Sequence, residues 1–206
     1  MYTIDVTITG TAPLLQHTFD LGLLSGLRAA GPHYAGVPNY TLEWLAAMDT
    51  RAGFLIQRAA PIEAALVRAA AGFRIKGSRK KTYKDLIKAA VRISPDEIPH
   101  LRDGMVVNAP DPDVAQHPTE HLCINVQQVI IARTAVARAR LEISAGWVLE
   151  FTITVNDDQL PPEVVQTILA EAGRTVGIGD LHPRYGRFAI TAFTARPEAA
   201  AGGMAV

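Results

Sequence analysis

From Tyr2 to Thr9 apolar and polar residues alternate without a break, with Tyr2, Ile4, Val6 and Ile8 on one face and Thr3, Asp5, Thr7 and Thr9 on the other. Such period-two alternation predicts a strand with one face against a core. A second alternating stretch runs from Trp147 to Val155, where Trp147, Leu149, Phe151, Ile153 and Val155 share a face. Between them, Asn125 to Ile143 predicts one long strand or two consecutive ones, closed by a turn at Gly146. The β-branched and aromatic residues of 188–194 predict a last strand. Met105 to Asn108 reads as a short one, between a turn-rich 94–104 and a proline- and aspartate-rich loop.

Helical spacing appears in four places. Pro61 opens an alanine-rich stretch with Ile62, Leu66 and Ala69 or Ala70 on one side, and Gly72 ends it. Pro161, Pro162 and Glu163 open another, with Val164, Val165, Ile168, Leu169 and Ala172 on one face and Gly173 suited to the left-handed position past its end. Thr41 caps a predicted short helix carrying Leu42, Trp44, Leu45 and Met48. In the fourth, over Thr82–Val91, Lys80, Lys84 and Lys88 would line one side and Leu86, Ile87 and Ala90 the other.

The resulting order is strand, helical insert, strand, strand, helix, strand. It predicts an α+β fold of the ferredoxin-like (RRM-like) β-α-β-β-α-β type with a large helical insertion after the first strand. The chain reads as a single domain, 1–206. Within it, 1–16 and 125–195 form the ferredoxin-like core, 17–124 a mainly helical insertion and 196–206 a flexible tail. Two helices would cover one face of the sheet and leave the other for a ligand, as in RNA-recognition modules.

A composition of 49% hydrophobic and 19% charged residues is that of a globular chain of 206 residues. No apolar run is long enough to span a bilayer and the first residues carry no signal-peptide pattern, so a cytoplasmic protein without a membrane partner is expected. The lone Cys123 agrees with a reducing compartment.

Net charge is zero, but its distribution is not even. From Arg68 to Arg92 the cations Arg68, Arg74, Lys76, Arg79, Lys80, Lys81, Lys84, Lys88 and Arg92 face the single acid Asp85. From Asp96 to Glu120 the acids Asp96, Glu97, Asp103, Asp111, Asp113 and Glu120 face only Arg102. A local field of one sign attracts a polyanion whatever the total charge.

The most unusual local composition is GRTVGIGDLHPRYGRFAI, residues 173–190. Its glycines Gly173, Gly177, Gly179 and Gly186 would let backbone approach a ligand, carrying Arg174, His182, Arg184 and Arg187 with it. Tyr185 is the candidate for stacking on a base, whereas Trp44, Trp147 and Phe151 read as core. A dinucleotide fingerprint would follow a strand and open a helix, the reverse of this loop, so no nucleotide cofactor is expected. His117, His121 and Cys123 have a ligand-like spacing but no fourth partner of the usual kind, so no metal is assigned.

Three segments together resemble the RAMP superfamily of CRISPR-associated proteins, most nearly the backbone subunits of effector complexes, and phage or prophage relatives of them. These are the first strand running into TGTAPLLQH, the stretch ARTAVARARLEI before GWVLEFTITV, and GIGDLHPRYGRFAI before the last strand. The resemblance covers the start of the chain and about its last third. It implies a structural subunit of a multi-subunit ribonucleoprotein of antiviral defence, gripping guide or target single-stranded RNA through its backbone. The loop and Lys76, Arg79, Lys80, Lys81, Lys84 and Lys88 would make the contacts, and the partners would be copies of itself and other effector subunits. RAMP relatives that cleave RNA can use a histidine or aspartate after the first strand, here His17 or Asp20. A metal-independent endoribonuclease is therefore one alternative, requiring a base and an acid placed together from among His17, Asp20, His33 and His182. A phage structural or interaction protein without nucleic-acid binding is the other.

Overall fold

The structure, a computed structural model, describes residues 1–16, 44, 47–111, 114, 117–131 and 134–197. In chain order its strands and α-helices are β1 (Tyr2–Gly10), β2 (Leu14–Leu15), β3 (Thr50–Arg51), β4 (Phe54–Arg58), α1 (Ala59–Ala70), α2 (Lys84–Ala90), β5 (Val91–Ser94), β6 (Glu97–Pro99), β7 (Leu101–Arg102), β8 (Met105–Val106), β9 (Leu122–Ile131), β10 (Thr134–Ile143), β11 (Val148–Val155), α3 (Pro162–Glu171) and β12 (Phe188–Pro197). The fold is mixed α and β and sheet-rich.

Strand β1 has a neighbour on each edge, so its backbone donors and acceptors are paired on both sides. It pairs antiparallel with β12 on one side and β11 on the other. The second half of β11 pairs antiparallel with β5, from Thr152↔Ser94 to Val155↔Val91, and its start touches β7. The inward row of Ile4, Val6, Ile8, Leu149, Phe151, Ile153, Val91 and Ile93 is buried in one cluster with Ile62, Leu66 and Ala69 of α1 and Val165, Ile168 and Leu169 of α3. Each such aliphatic side chain contributes about 1.5–3 kcal/mol by leaving water. The outward row is polar and half-exposed, with Asp5 accepting from Thr152 Oγ1 at 3.1 Å and pairing with Arg196 Nη2 at 2.6 Å.

Trp147 fixes the end of β1. Its indole lies so close to Gly10 that a Cβ there would stand 2.2 Å from the ring, and Nε1 donates to the Ala12 carbonyl at 2.9 Å. The turn thus formed leads into β2, which pairs with the β9–β10 hairpin in a second sheet of order β2–β10–β9.

Several expectations change. The strand beside β11 is the short β5, whereas Asn125–Ile143 falls within the hairpin of the second sheet. The far part of the hairpin, with Val126 and Ile130 exposed, projects as a ribbon, while its base is buried in the core through Leu122, Ala139, Leu141 and Ile143. The segment 17–124 carries α1 and α2 but also β3 to β8 among its described residues, strands of two to five residues that are too short for a period to show. Between Arg74 and Arg92 the basic segment is helical only over Lys84–Ala90. Residues 74–82 form a turn, with Arg74 bridged to Thr82 and the Ile75 amide on the Lys81 carbonyl at 3.0 Å, so Lys80 does not continue the row of Lys84 and Lys88. Strand β12 reaches Pro197, opposite Tyr2, inside the stretch expected as tail. Of the predicted helix at 41–48, Trp44, Ala47 and Met48 are described; Trp44 and Ala47 are helical and buried.

Candidate nucleic-acid interface

Helix α3 does not stop at Gly173. It continues as a π-helical turn, Ala172–Val176, and the left-handed residue that ends it is Gly177, at φ 72°, whose amide bonds the Ala172 carbonyl at 2.8 Å. The extra turn is possible because Gly173 is buried under β12, where a Cβ would meet the Phe188 carbonyl oxygen at 2.3 Å. The next glycines also face the protein itself. A Cβ at Gly179 would lie 2.6 Å from the Leu15 carbonyl oxygen, and one at Gly186 only 1.7 Å from that of Ile178. Their lack of a side chain serves close packing of the loop onto β2 and onto its own backbone.

Backbone bonds hold that packing. The Asp180 amide donates to Leu15 at 2.9 Å, the Gly186 amide to Pro13 at 2.7 Å and the Ile178 amide to Gly186 at 3.0 Å, while the Arg187 carbonyl accepts from Thr11 at 2.8 Å. On the hairpin side, Gln127 Nε2 donates to the Tyr185 hydroxyl at 2.8 Å. Arg140, 4% exposed, pairs through Nε with Asp180 Oδ2. The loop is therefore anchored to the turn after β1 and to the β2–β10–β9 sheet before any ligand arrives.

The cations of the loop differ in what they can do. Arg174 is exposed but bound to Glu171, Nη2 to Oε2 at 2.7 Å, and this hydrogen bond holds the Glu171 carboxyl below its ordinary range. His182 Nδ1 lies 2.9 Å from the Gly179 carbonyl, which assigns the proton to Nδ1 and leaves Nε2 to accept from Arg68 Nη1 of α1. Arg184 stands over the Tyr185 ring, its Cζ 5.8 Å from the centroid, and Arg187 is exposed. Tyr185 is thus held at its hydroxyl and covered by Arg184, so a base would have to stack on what remains of the ring.

The Arg68–His182 contact brings α1 against the loop, a proximity that the sequence does not signal. Arg68 and Arg92, members of the basic segment though not among the expected contacts, rim with Lys84 and Lys88 a groove beside α1 and α2. Lys76, Arg79, Lys80 and Lys81 sit on or beside the 74–82 turn and are exposed. The sheet's outward row, by contrast, places Asp5 and Glu150 among threonines and carries no aromatic ring on β1, β11 or β5. That face lacks the stacking surface on which RNA-recognition modules rely.

His17, Asp20 and His33 lie outside the described residues. Burial first, and the Glu142 carboxylate second, push the Cys123 thiol up, away from the thiolate that ligates metals. Among the described residues no three His, Cys, Asp or Glu side chains are grouped to hold a metal ion, and no helix is long and apolar enough to cross a membrane.

No family model matches this chain, and no curated protein does. Solved structures do. A chain from the cryo-EM structure of the type III-B Cmr-beta complex bound to cognate target RNA superposes with a TM-score of 0.57 over 96% of this chain, at 12% identity. This chain spans 61% of that one's length. A chain of a type IV-B CRISPR complex, also 12% identical, gives 0.48, with 98% of this chain and 93% of that one covered. In fold, the protein is thus similar to a chain of the type III-B Cmr-beta structure.

Proposed function

We propose that this protein is a cytoplasmic, RNA-binding structural subunit of a CRISPR-type multi-subunit ribonucleoprotein. It grips the backbone of a single-stranded guide or target RNA without reading its sequence, alongside copies of itself and other effector subunits. The observation that carries the proposal is the exposed pair Arg184 and Arg187 on a loop whose backbone is already fixed to Thr11, Pro13 and Leu15. Phosphate contacts made from a preorganised loop lose little conformational entropy on binding. Lys76, Arg79, Lys80 and Lys81 extend the cationic surface, His182 joins it through Arg68, and Arg174 contributes less because Glu171 shares its charge.

Within the six-stranded sheet, the antiparallel series β12–β1–β11 with β5 on the far edge of β11, beside the β7–β8 extension, and with α1 and α3 on one face, supports a ferredoxin-like β-α-β-β-α-β reading within a single domain. In that reading β5 is the second strand, and the β9–β10 hairpin is an insertion between the second and third. The chain of the type III-B complex, similar in fold, comes from a structure with target RNA bound, and that supports the choice of ligand.

The test is a gel-shift or anisotropy titration with labelled single-stranded RNA and DNA across a salt series. Binding that weakens linearly in log affinity against log salt is the expected result. No binding to either strand at low salt would sink the proposal.

A further inference from the structure

Helices α1 and α2 and the start of β5 enclose a groove of about 380 Å³, within the range of sites that accept a ligand or an anchoring side chain. Its floor is aliphatic: Ala60, Ala64 and Val67 from α1, Ile87 from α2, and Val91. Its rim is cationic, with Arg68, Lys84, Lys88 and Arg92. The one acid in the lining, Glu63, accepts the Ile93 amide at 2.9 Å and is thereby tied to the start of β5. Lys84 and Lys88 are exposed, one helical turn apart, and form no ion pair among the described residues.

An aliphatic floor under a cationic rim does not match a nucleic-acid backbone. Phosphates would use the rim and leave the floor wet, and no aromatic ring is present to stack a base. It matches a segment that offers both apolar and anionic groups at helical spacing. A helix laid between α1 and α2 would place apolar anchors at i and i+3 or i+4 on the floor and carboxylates one turn apart toward Lys84 and Lys88.

We propose that the α1–α2 groove, with its aliphatic floor and its rim of Lys84, Lys88 and Arg92, is a docking site for an acidic amphipathic helix of another protein; Arg68, bonded to His182, stands on the border between this groove and the RNA surface of the loop. Charge complementarity sets the approach and the floor sets the register.

The experiment titrates the full chain with a fluorescent peptide helix carrying leucines at i, i+3 and i+7 and glutamates on the flanks, beside a scrambled peptide of the same composition. The expected result is saturable binding of the helix, at least roughly tenfold tighter than the scrambled peptide. Lys84→Glu with Lys88→Glu should weaken it by roughly tenfold or more. Ala64→Gln, a polar change at an exposed floor position that leaves the core intact and adds no charge beside the rim, should weaken it. RNA affinity, measured in parallel, should be unchanged by Ala64→Gln, and RNA should not displace the peptide. Equal binding of both peptides, indifference to the floor variant, displacement by RNA, or occupation of the groove by a second copy of this chain would each overturn the proposal.

Discussion

Arg68 of α1 donates a hydrogen bond to Nε2 of His182, 114 positions later in the chain, and so ties the helical side of the molecule to the glycine loop. The imidazole can accept because its other nitrogen is turned to the Gly179 carbonyl. Arg68→Ala should cost only about 0.5–1 kcal/mol of global stability, as befits an exposed contact. Amide exchange at 178–186 should quicken more than elsewhere, and hydrogen exchange read by mass spectrometry checks both parts of this expectation.

Two arginines of the loop are expected to carry most of its phosphate contacts. Replacing Arg184 and Arg187 together by alanine should weaken RNA binding across sequences and flatten the salt slope by about 1.4, the share of two single-strand phosphate contacts. Arg174→Ala should do less than Arg187→Ala, because Glu171 already holds the Arg174 guanidinium. Equal effects of the two single variants in the same titration would contradict that ranking.

Gly186 combines a left-handed backbone, φ 69°, with a Cβ position 1.7 Å from the Ile178 carbonyl oxygen. Gly186→Ala should therefore destabilise by about 2–4 kcal/mol, the sum of the left-handed penalty and a clash that only backbone movement can relieve. Gly53 is also left-handed, at φ 84°, but has nothing within 4 Å of its Cβ position. Gly53→Ala should cost only about 1–2 kcal/mol. Urea unfolding of the two variants separates packing from backbone strain.

Arg140 and Asp180 form a mostly buried ion pair between hairpin and loop. Asp180→Ala leaves the Arg140 charge uncompensated and should cost about 3–5 kcal/mol. Asp180→Leu combined with Arg140→Met removes both charges and should recover much of that loss. A double-mutant cycle from unfolding curves measures the coupling.

His100 is fully buried, edge-on to Trp147 at 6.4 Å, and burial pushes its ring down to about 3. An unfolded histidine titrates near about 6.5, so the unfolded chain takes up a proton that the folded chain refuses. This contribution to stability is present in full above about pH 6.5 and is lost as pH falls toward about 3, at up to about 1.4 kcal/mol per pH unit. His100→Phe keeps the ring and removes the titration. Its urea midpoint should depend less on pH between about 5 and 6.5 than that of the parent.

What the sequence determined by itself was the longer elements whose pattern repeats between neighbours along the chain. Alternation marked β1 and β11 almost to the residue, because a strand with one buried face repeats every two positions. Helical spacing marked α1 and α3, and the crowding of glycine and arginine marked the loop. Tertiary structure decided which segments meet. Four residues of β5 complete the sheet, because Val91 and Ile93 fit the core against α1, while the more conspicuous β9–β10 stretch pairs with itself. It also decided what the loop's glycines are for, since their contacts are with Leu15, Ile178 and Phe188. The same packing set the cations apart, placing Arg174 on Glu171, Arg68 on His182, and leaving Arg187 exposed. Periodicity is a local property, whereas these contacts depend on how elements far apart in the chain fill a shared core.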